Sequence, residues 1–266
     1  MSFQVSIANI IISFEIDYQL FNNKMKQILK DFIIENSEYD IFVKLIKIDD
    51  YELINGKWDY FITNINDDIM IIKKWDIHGE INYIENTANF LIHKDSNNFF
   101  LIIKTILLNF LPKFNALLLH SSSIINDNYG IVGSGISGSG KSTFAKKLKS
   151  EGCTILHDEI TLIRKLNEKF YIYPTPFNYN PKHIVNFLPK KELKKIFILK
   201  RKSNYYLKNI DKKKFYQEIL KLIFGYNNTD KYTYNLILNI LNQIYNNVTV
   251  DELSFNLNEP LKDIIL

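Results

Sequence analysis

The sequence predicts an α/β protein, α+β over its whole length, with a smaller α+β part at residues 1–112 ahead of a mixed-sheet part at residues 113–266. Three observations predict it. Residues 2–95 are mostly strand-like runs rich in Ile, Phe and Tyr, five of the nine glycines fall in the stretch from Gly130 to Gly140, and from residue 113 the order reads strand, turn, strand, loop, helix, strand. The antiparallel hairpin implied by that order argues against an all-parallel sheet.

In the first part, Met1 to Asp17 reads as one strand, apolar but interrupted by Gln4, Ser6, Asn9 and Glu15. Leu20 to Ile34 reads as a helix, because Leu20, Phe21, Met25, Ile28 and Leu29 follow helical spacing. Asn55-Gly56 and His78-Gly79 carry turn chemistry, and a helix over Asn97 to Leu111 stops before Pro112, where the domain boundary is placed. In the second part, Ala116 to Ile125 and Tyr129 to Gly133 form a hairpin around Asn126-Asp127-Asn128. A helix over Lys141 to Ser150, apolar at Phe144, Ala145 and Leu148, closes at Gly152, and Cys153 to Leu156 is a short strand. Leu193 to Lys200 is a later strand. Asp211 caps a helix that Gly225 stops, and a last helix covers Asp230 to Tyr245.

Composition narrows the class. The 266 residues are 46% hydrophobic, enough to fill a core, and the net charge of +4 is too weak to argue for nucleic acid. Cys153 is the lone cysteine, so no internal disulfide and no cysteine-based zinc site can form, which fits a reducing cytoplasm. The N-terminus lacks the charged start and cleavage site of a signal peptide. Phe99 to Leu111, broken by Lys104, falls short of the roughly 20 apolar residues a spanning helix needs, so no membrane partner is expected.

The chemistry sits at Gly135-Ile-Ser-Gly-Ser-Gly140-Lys141-Ser142, which matches the phosphate-loop (Walker A) pattern G-x-x-x-x-G-K-[ST] at every position. Glycines let successive N–H groups point inward as an anion nest, and the following helix presents its free N–H groups and positive end. Gly135, Ser137, Gly138, Ser139, Gly140, Lys141, Ser142 and Thr143 are thus the candidate nucleotide-binding residues. Lys141 reaches the β and γ phosphates, and the Ser142 hydroxyl takes one place around Mg²⁺. A chance match in a chain of this length is about one in a few hundred.

The strand after the loop helix ends in His157-Asp158-Glu159, where a Mg²⁺ partner and a proton acceptor are needed. His120, between Leu117-Leu118-Leu119 and three serines, reads by itself as a hydrogen-bonded structural histidine. Arg201, after the strand Ile196-Phe-Ile-Leu199, has two readings: a guanidinium that steadies a transferring phosphoryl group, or a solvated charge. His78, His93 and His183 have no partners at metal-ligand spacing, and His157 has a packing role open to it.

Leu117 to Arg164, LLLHSSSIINDNYGIVGSGISGSGKSTFAKKLKSEGCTILHDEITLIR, resembles the HPr kinase/phosphorylase superfamily, whose nucleotide core is related to phosphoenolpyruvate carboxykinase. The resemblance implies that Asp158 is the general base for a serine hydroxyl, that His120 supports it, and that Ser142 with Glu159 serves Mg²⁺. It also implies a homo-oligomer. The doublet is Asp-Glu where that family has Asp-Asp, and the family's C-terminal signature is not found after Pro189, so phosphorylase activity and HPr as substrate are not carried over. Pro174-Thr-Pro176-Phe177 and the later strand look more like the HPr-kinase-related proteins of peptide-tailoring clusters, some of which phosphorylate a serine of a ribosomal precursor peptide.

The expected function is therefore an ATP- and Mg²⁺-dependent kinase acting on a serine of a peptide or small protein, with Asp158, His120, Lys141 and Arg201 as catalytic candidates. Two rivals stay open: a small-molecule kinase acting on free serine or a sugar-like hydroxyl, and a nucleotide-gated regulatory protein without transfer activity. The lysine-rich stretches from Lys190 to Lys202 and Lys212 to Lys214 can attract an acidic substrate or be plain solvated surface.

Overall fold

The computed structural model describes residues 1–49, 61–64, 69–74, 76–127, 129–177, 190–201, 205–224, 231–256 and 260–265. The expected turn at Asn55-Gly56, the stop at Gly225 and His183 lie outside them. Contacts divide the chain into one unit of Met1–Phe110 with Asn228–Thr233 and another of Leu111–Asn227 with Tyr234–Leu266. Each unit is a mixed α+β assembly on its own mixed sheet.

The first unit's sheet runs β3-β1-β2-β4-β8-β7-β6-β5, from β1 (Ser2–Ile7), β2 (Ile10–Ile16), β3 (Ile33–Ile34), β4 (Ile41–Ile48), β5 (Phe61–Asn64), β6 (Ile69–Lys74), β7 (Ile77–Asn82) and β8 (Thr87–His93). Only β2–β4 and β4–β8 are parallel among its pairings. Helices α1 (Gln19–Leu29) and α2 (Phe99–Phe110) belong to this unit; Phe21 of α1 meets Phe99 of α2 edge-on at 5.2 Å, and both rings are buried.

Three expectations are corrected here. Met1 to Asp17 is a hairpin, because Ala8 (φ 55) and Asn9 (φ 61) take left-handed conformations without a glycine to announce the turn. The helix expected over Leu20 to Ile34 ends at Leu29, and Ile33–Ile34 pair with β1 instead, since pairing satisfies backbone groups that fraying helix ends leave open. His78-Gly79 is no turn: it lies within β7, and Gly79 stands opposite Phe90. A Cβ on Gly79 would sit 2.5 Å from the Phe90 ring, so this glycine makes room for an aromatic.

The second unit comprises β9 (Ala116–Asn126), β10 (Tyr129–Ser134), α3 (Lys141–Ser150), β11 (Thr154–His157), β12 (Ile160–Leu166), β13 (Lys169–Tyr173), β14 (Lys191–Leu199), β15 (Tyr206–Asn209), α4 (Lys212–Ile219), α5 (Lys231–Asn247) from Tyr234 onward, β16 (Thr249–Ser254) and α6 (Lys262–Ile265). Two strands change partners along their length. On one side, β9 pairs with β12 through residues 116–120 and with β11 through residues 123–125; β14 pairs with β13 at its start and with β16 further on. Because β10 joins β9 antiparallel and β14 parallel, β9, β12, β13, β14 and β10 close a ring at one end. At the other end, β11, β9, β10, β14, β16 and β15 lie as an open sheet.

Alternation along β14 separates two cores. Ile196 and Ile198 join Val132, Phe215 and Ile219 of α4, and Ile237 and Ile240 of α5. Phe197 and Leu199 join Ile131, Leu253, and Phe144, Ala145 and Leu148 of α3. The Asp211 carboxylate caps α4 through the Lys214 N–H at 2.8 Å.

Gly79→Ala is expected to cost ~1–3 kcal/mol by overpacking against Phe90, read as a lower urea midpoint. Phe90→Leu in the same chain should recover part of it; an unchanged midpoint in Gly79→Ala alone would show that the ring yields freely.

Candidate functional site

The site grows from β10, whose end is held on both sides: Ser134 pairs with Ser121 of β9 and with Ile198 of β14. Beyond it the chain folds back on itself. A Cβ on Gly135 would lie 2.4 Å from Ser139 Oγ and 3.0 Å from the Leu199 carbonyl oxygen, so only glycine allows the fold-back. The Ser139 N–H closes the turn on the Ile136 carbonyl at 3.1 Å, and Gly138 (φ 78) and Gly140 (φ 101) occupy left-handed backbone. Gly140 caps α3, and Phe144, fully buried and returning its N–H to the Gly140 carbonyl at 2.8 Å, pins the first turn; burying such a ring is worth ~2–3 kcal/mol.

Lys141 is mostly buried, and its ammonium donates to the Gly135 and Ile136 carbonyls at 2.9 and 3.2 Å. Burial pushes its pKa below the ordinary lysine value, while Glu159 and Asp158 hold it up. Ser137, Ser142 and Thr143 are exposed on the loop and the first turn of α3.

Across the loop, β11 ends at His157 and the chain turns through Asp158-Glu159 into β12. The Ser142 hydroxyl lies near enough to Asp158 to favour its ionised form. Burial pushes the Asp158 carboxyl above the usual range, opposed by the Ser142 hydroxyl and Lys146, assisted by the Glu159 charge, and opposed again by Lys141. Its Oδ1 is buried without a hydrogen-bond partner, as is Ser139 Oγ. Glu159 is exposed, and its carbonyl accepts the Ser121 N–H at 3.1 Å.

His120 sits on β9 opposite Ile160, the residue after the doublet, and its carbonyl accepts the Ser134 hydroxyl at 3.0 Å. Its ring tilts against Phe224, 5.7 Å between centroids. Arg201 is exposed two residues past β14, at the end of the sheet from which the loop leaves. His157 is buried, and its Nε2 accepts the Thr175 N–H at 2.9 Å, which ties the Pro174-Thr-Pro176 segment to the strand that carries Asp158.

Two features of this arrangement escape the sequence reading. Ser122 is fully buried, and its hydroxyl reaches the Lys141 carbonyl at 3.1 Å and the Gly133 carbonyl at 3.3 Å, fastening α3 to the strand behind it. Three serines inside an otherwise apolar strand were the signal. The other is Phe255, just past β16, with its ring edge-on to Phe144 at 5.9 Å; no local pattern connects it to a loop 115 residues earlier in the chain.

Phosphate and magnesium fit the residues present. The loop holds a buried, unsatisfied hydroxyl at Ser139, and Asp158, close enough to Lys141 to raise its pKa, keeps a buried, unsatisfied carboxylate oxygen. No group of three or more His, Cys, Asp or Glu side chains gathers as a metal cluster among the described residues. Magnesium keeps several waters and is held by one or two carboxylates, so it needs none. Among the described residues, no helix is long and apolar enough to cross a membrane.

No family model matches the chain, and no curated protein matches it. Among solved structures it is similar to the Hpr(Ser) kinase/phosphatase from Coxiella burnetii, at 17% identity over 35% of this chain and 72% of that one, with a TM-score of 0.24. This is a distant likeness that assigns no residue and no activity.

Asp158 has its pKa raised on folding, so it carries no penalty below the unfolded carboxyl value of about 3.8 and a full penalty once the pH exceeds the folded value. Asp158→Asn removes that penalty. Its thermal midpoint should exceed the wild type's at pH 7, and the two should converge at acid pH. A variant less stable at pH 7 would show that the Ser142 hydroxyl outweighs the burial.

Proposed function

We propose that the chain is an ATP- and Mg²⁺-dependent kinase that phosphorylates a hydroxyl, a serine of a peptide or small protein. One observation carries this reading: beside the glycine-rich loop, Asp158 keeps a buried carboxylate oxygen without a hydrogen-bond partner, close enough to Lys141, Ser142 and Glu159 for all three to act on its titration.

The backbone N–H groups of the loop and of the first turn of α3, other than that of Ser139, bind and orient the phosphates, and the positive end of α3 adds to their pull. Lys141 supplies a charge that neutralises the β and γ phosphates. Its present bonds to the Gly135 and Ile136 carbonyls keep the ammonium within the loop. Bound magnesium would supply charge compensation between the phosphates, held by Ser142 Oγ and Glu159. Asp158 takes the proton from the acceptor hydroxyl at its carboxylate, and a raised pKa brings that base nearer the working pH. His120, on the strand between the loop and the doublet, stands opposite Ile160, the residue after the doublet, from where it supports Asp158, and Arg201 offers a guanidinium at the same end of the sheet.

Ser142 acts on the titration of Asp158, so the hydroxyl assigned to the ion lies near that carboxylate as well. Two variants separate the roles. Asp158→Asn should keep nucleotide binding and lose transfer at every magnesium concentration, by about 10²–10⁴-fold for a missing general base. Glu159→Gln should lose transfer at low magnesium and regain it at high magnesium. The assay is label from γ-labelled ATP on a serine peptide panel, on free serine and on the protein alone, with Lys141→Ala as the blank. Label on free serine alone would move the assignment to a small-molecule kinase, and ATP binding without any labelled product would move it to a regulatory protein.

A further inference from the structure

The loop accounts for phosphates, but a nucleotide also carries a flat aromatic base, which phosphate-binding amides do not recognise. In open sheets ligands settle outside the carboxyl ends of parallel strands, and here β10, β14 and β16 are parallel neighbours ending side by side. From β10 leaves the loop; from β14 comes the Leu199 carbonyl that backs Gly135; from β16 comes Phe255.

Phe255 stands against the loop. A Cβ on Gly140 would lie 3.9 Å from its Cζ, and its ring meets Phe144 edge-on at an interplanar angle of 63°. Phe144 and Phe197, which serve the core alone, are almost wholly covered, whereas Phe255 is only partly covered, as is Tyr205, and both pack on the same cluster under the loop. The antiparallel register Tyr206↔Ser254 runs outward to these two aromatics, one at the head of β15 and one past the end of β16. The strand pair beneath is fastened: the Tyr206 hydroxyl donates to the buried Glu252 carboxylate, which also pairs with Lys214 at 2.5 Å.

We infer that Phe255, with Tyr205, forms the wall on which the base of the nucleoside triphosphate stacks. The inference rests on the nucleotide reading above and adds where the base lies and what holds it. The wall is preorganised, since Phe144 fixes the ring's edge and the Glu252 network fixes its strand, so stacking orders little that is not already ordered.

Calorimetric titration of the full chain with ATP and with inorganic tripolyphosphate, each with Mg²⁺, tests it in the wild type, Phe255→Leu and Phe255→Trp. Phe255→Leu keeps apolar bulk and removes the aromatic face; it should weaken ATP by at least about tenfold and leave tripolyphosphate unchanged, while Phe255→Trp holds ATP as the wild type does. Wild-type-like ATP binding by Phe255→Leu overturns the inference. So does parallel loss of both ligands, which marks a role in supporting the loop, and so does equal wild-type affinity for the two ligands. A wild type that binds neither overturns the nucleotide reading itself, and the base site with it.

Discussion

The candidate site depends on the double pairing of β10. With β9 antiparallel on one side and β14 parallel on the other, the end of β10 cannot shift, and Ser134 is locked between Ser121 and Ile198. The fold-back at Gly135, packed against Ser139 and the Leu199 carbonyl, needs that fixed origin. So does the placement of Asp158: β11 reaches the loop only because it pairs with the same β9 that holds β10. Ser122 ties these parts together from within β9, spanning the strand before the loop and the helix after it.

What lies close in sequence was legible, and what depends on distant contacts was not. The glycine-rich turn after β10, the helix behind it and the Asp211 cap follow from local chemistry, so their residues could be named from spacing. The hairpin at Ala8-Asn9 was hidden because two non-glycine residues take left-handed backbone there. His78-Gly79 misled for the opposite reason: its glycine answers to a ring on the next strand, a fact no local pattern carries. In the site, the acidic doublet could be read from its place after the loop helix, but not that Asp158 is the partly buried member and Glu159 the exposed one. Phe255 was invisible because β16 meets the loop only after the chain has passed through β14 and α5.

The polar groups at the site are costly in a folded protein. Asp158 Oδ1 and Ser139 Oγ are buried without partners, and Lys141 is mostly enclosed by the loop that it serves. Their cost is offset nearby by Phe144, Leu148 and Leu253, which fill the core under the loop.

The partner changes of β9 and β14 also govern how this sheet meets other chains. At the ring end every strand has a neighbour on both sides, among the described residues, which leaves fewer backbone N–H and C=O groups to recruit a foreign strand. The second unit's outer strands, β11 and β15, are each four residues long among the described residues, and β15 carries Lys208. Short, charged margins of this kind resist the edge-to-edge stacking that begins aggregation.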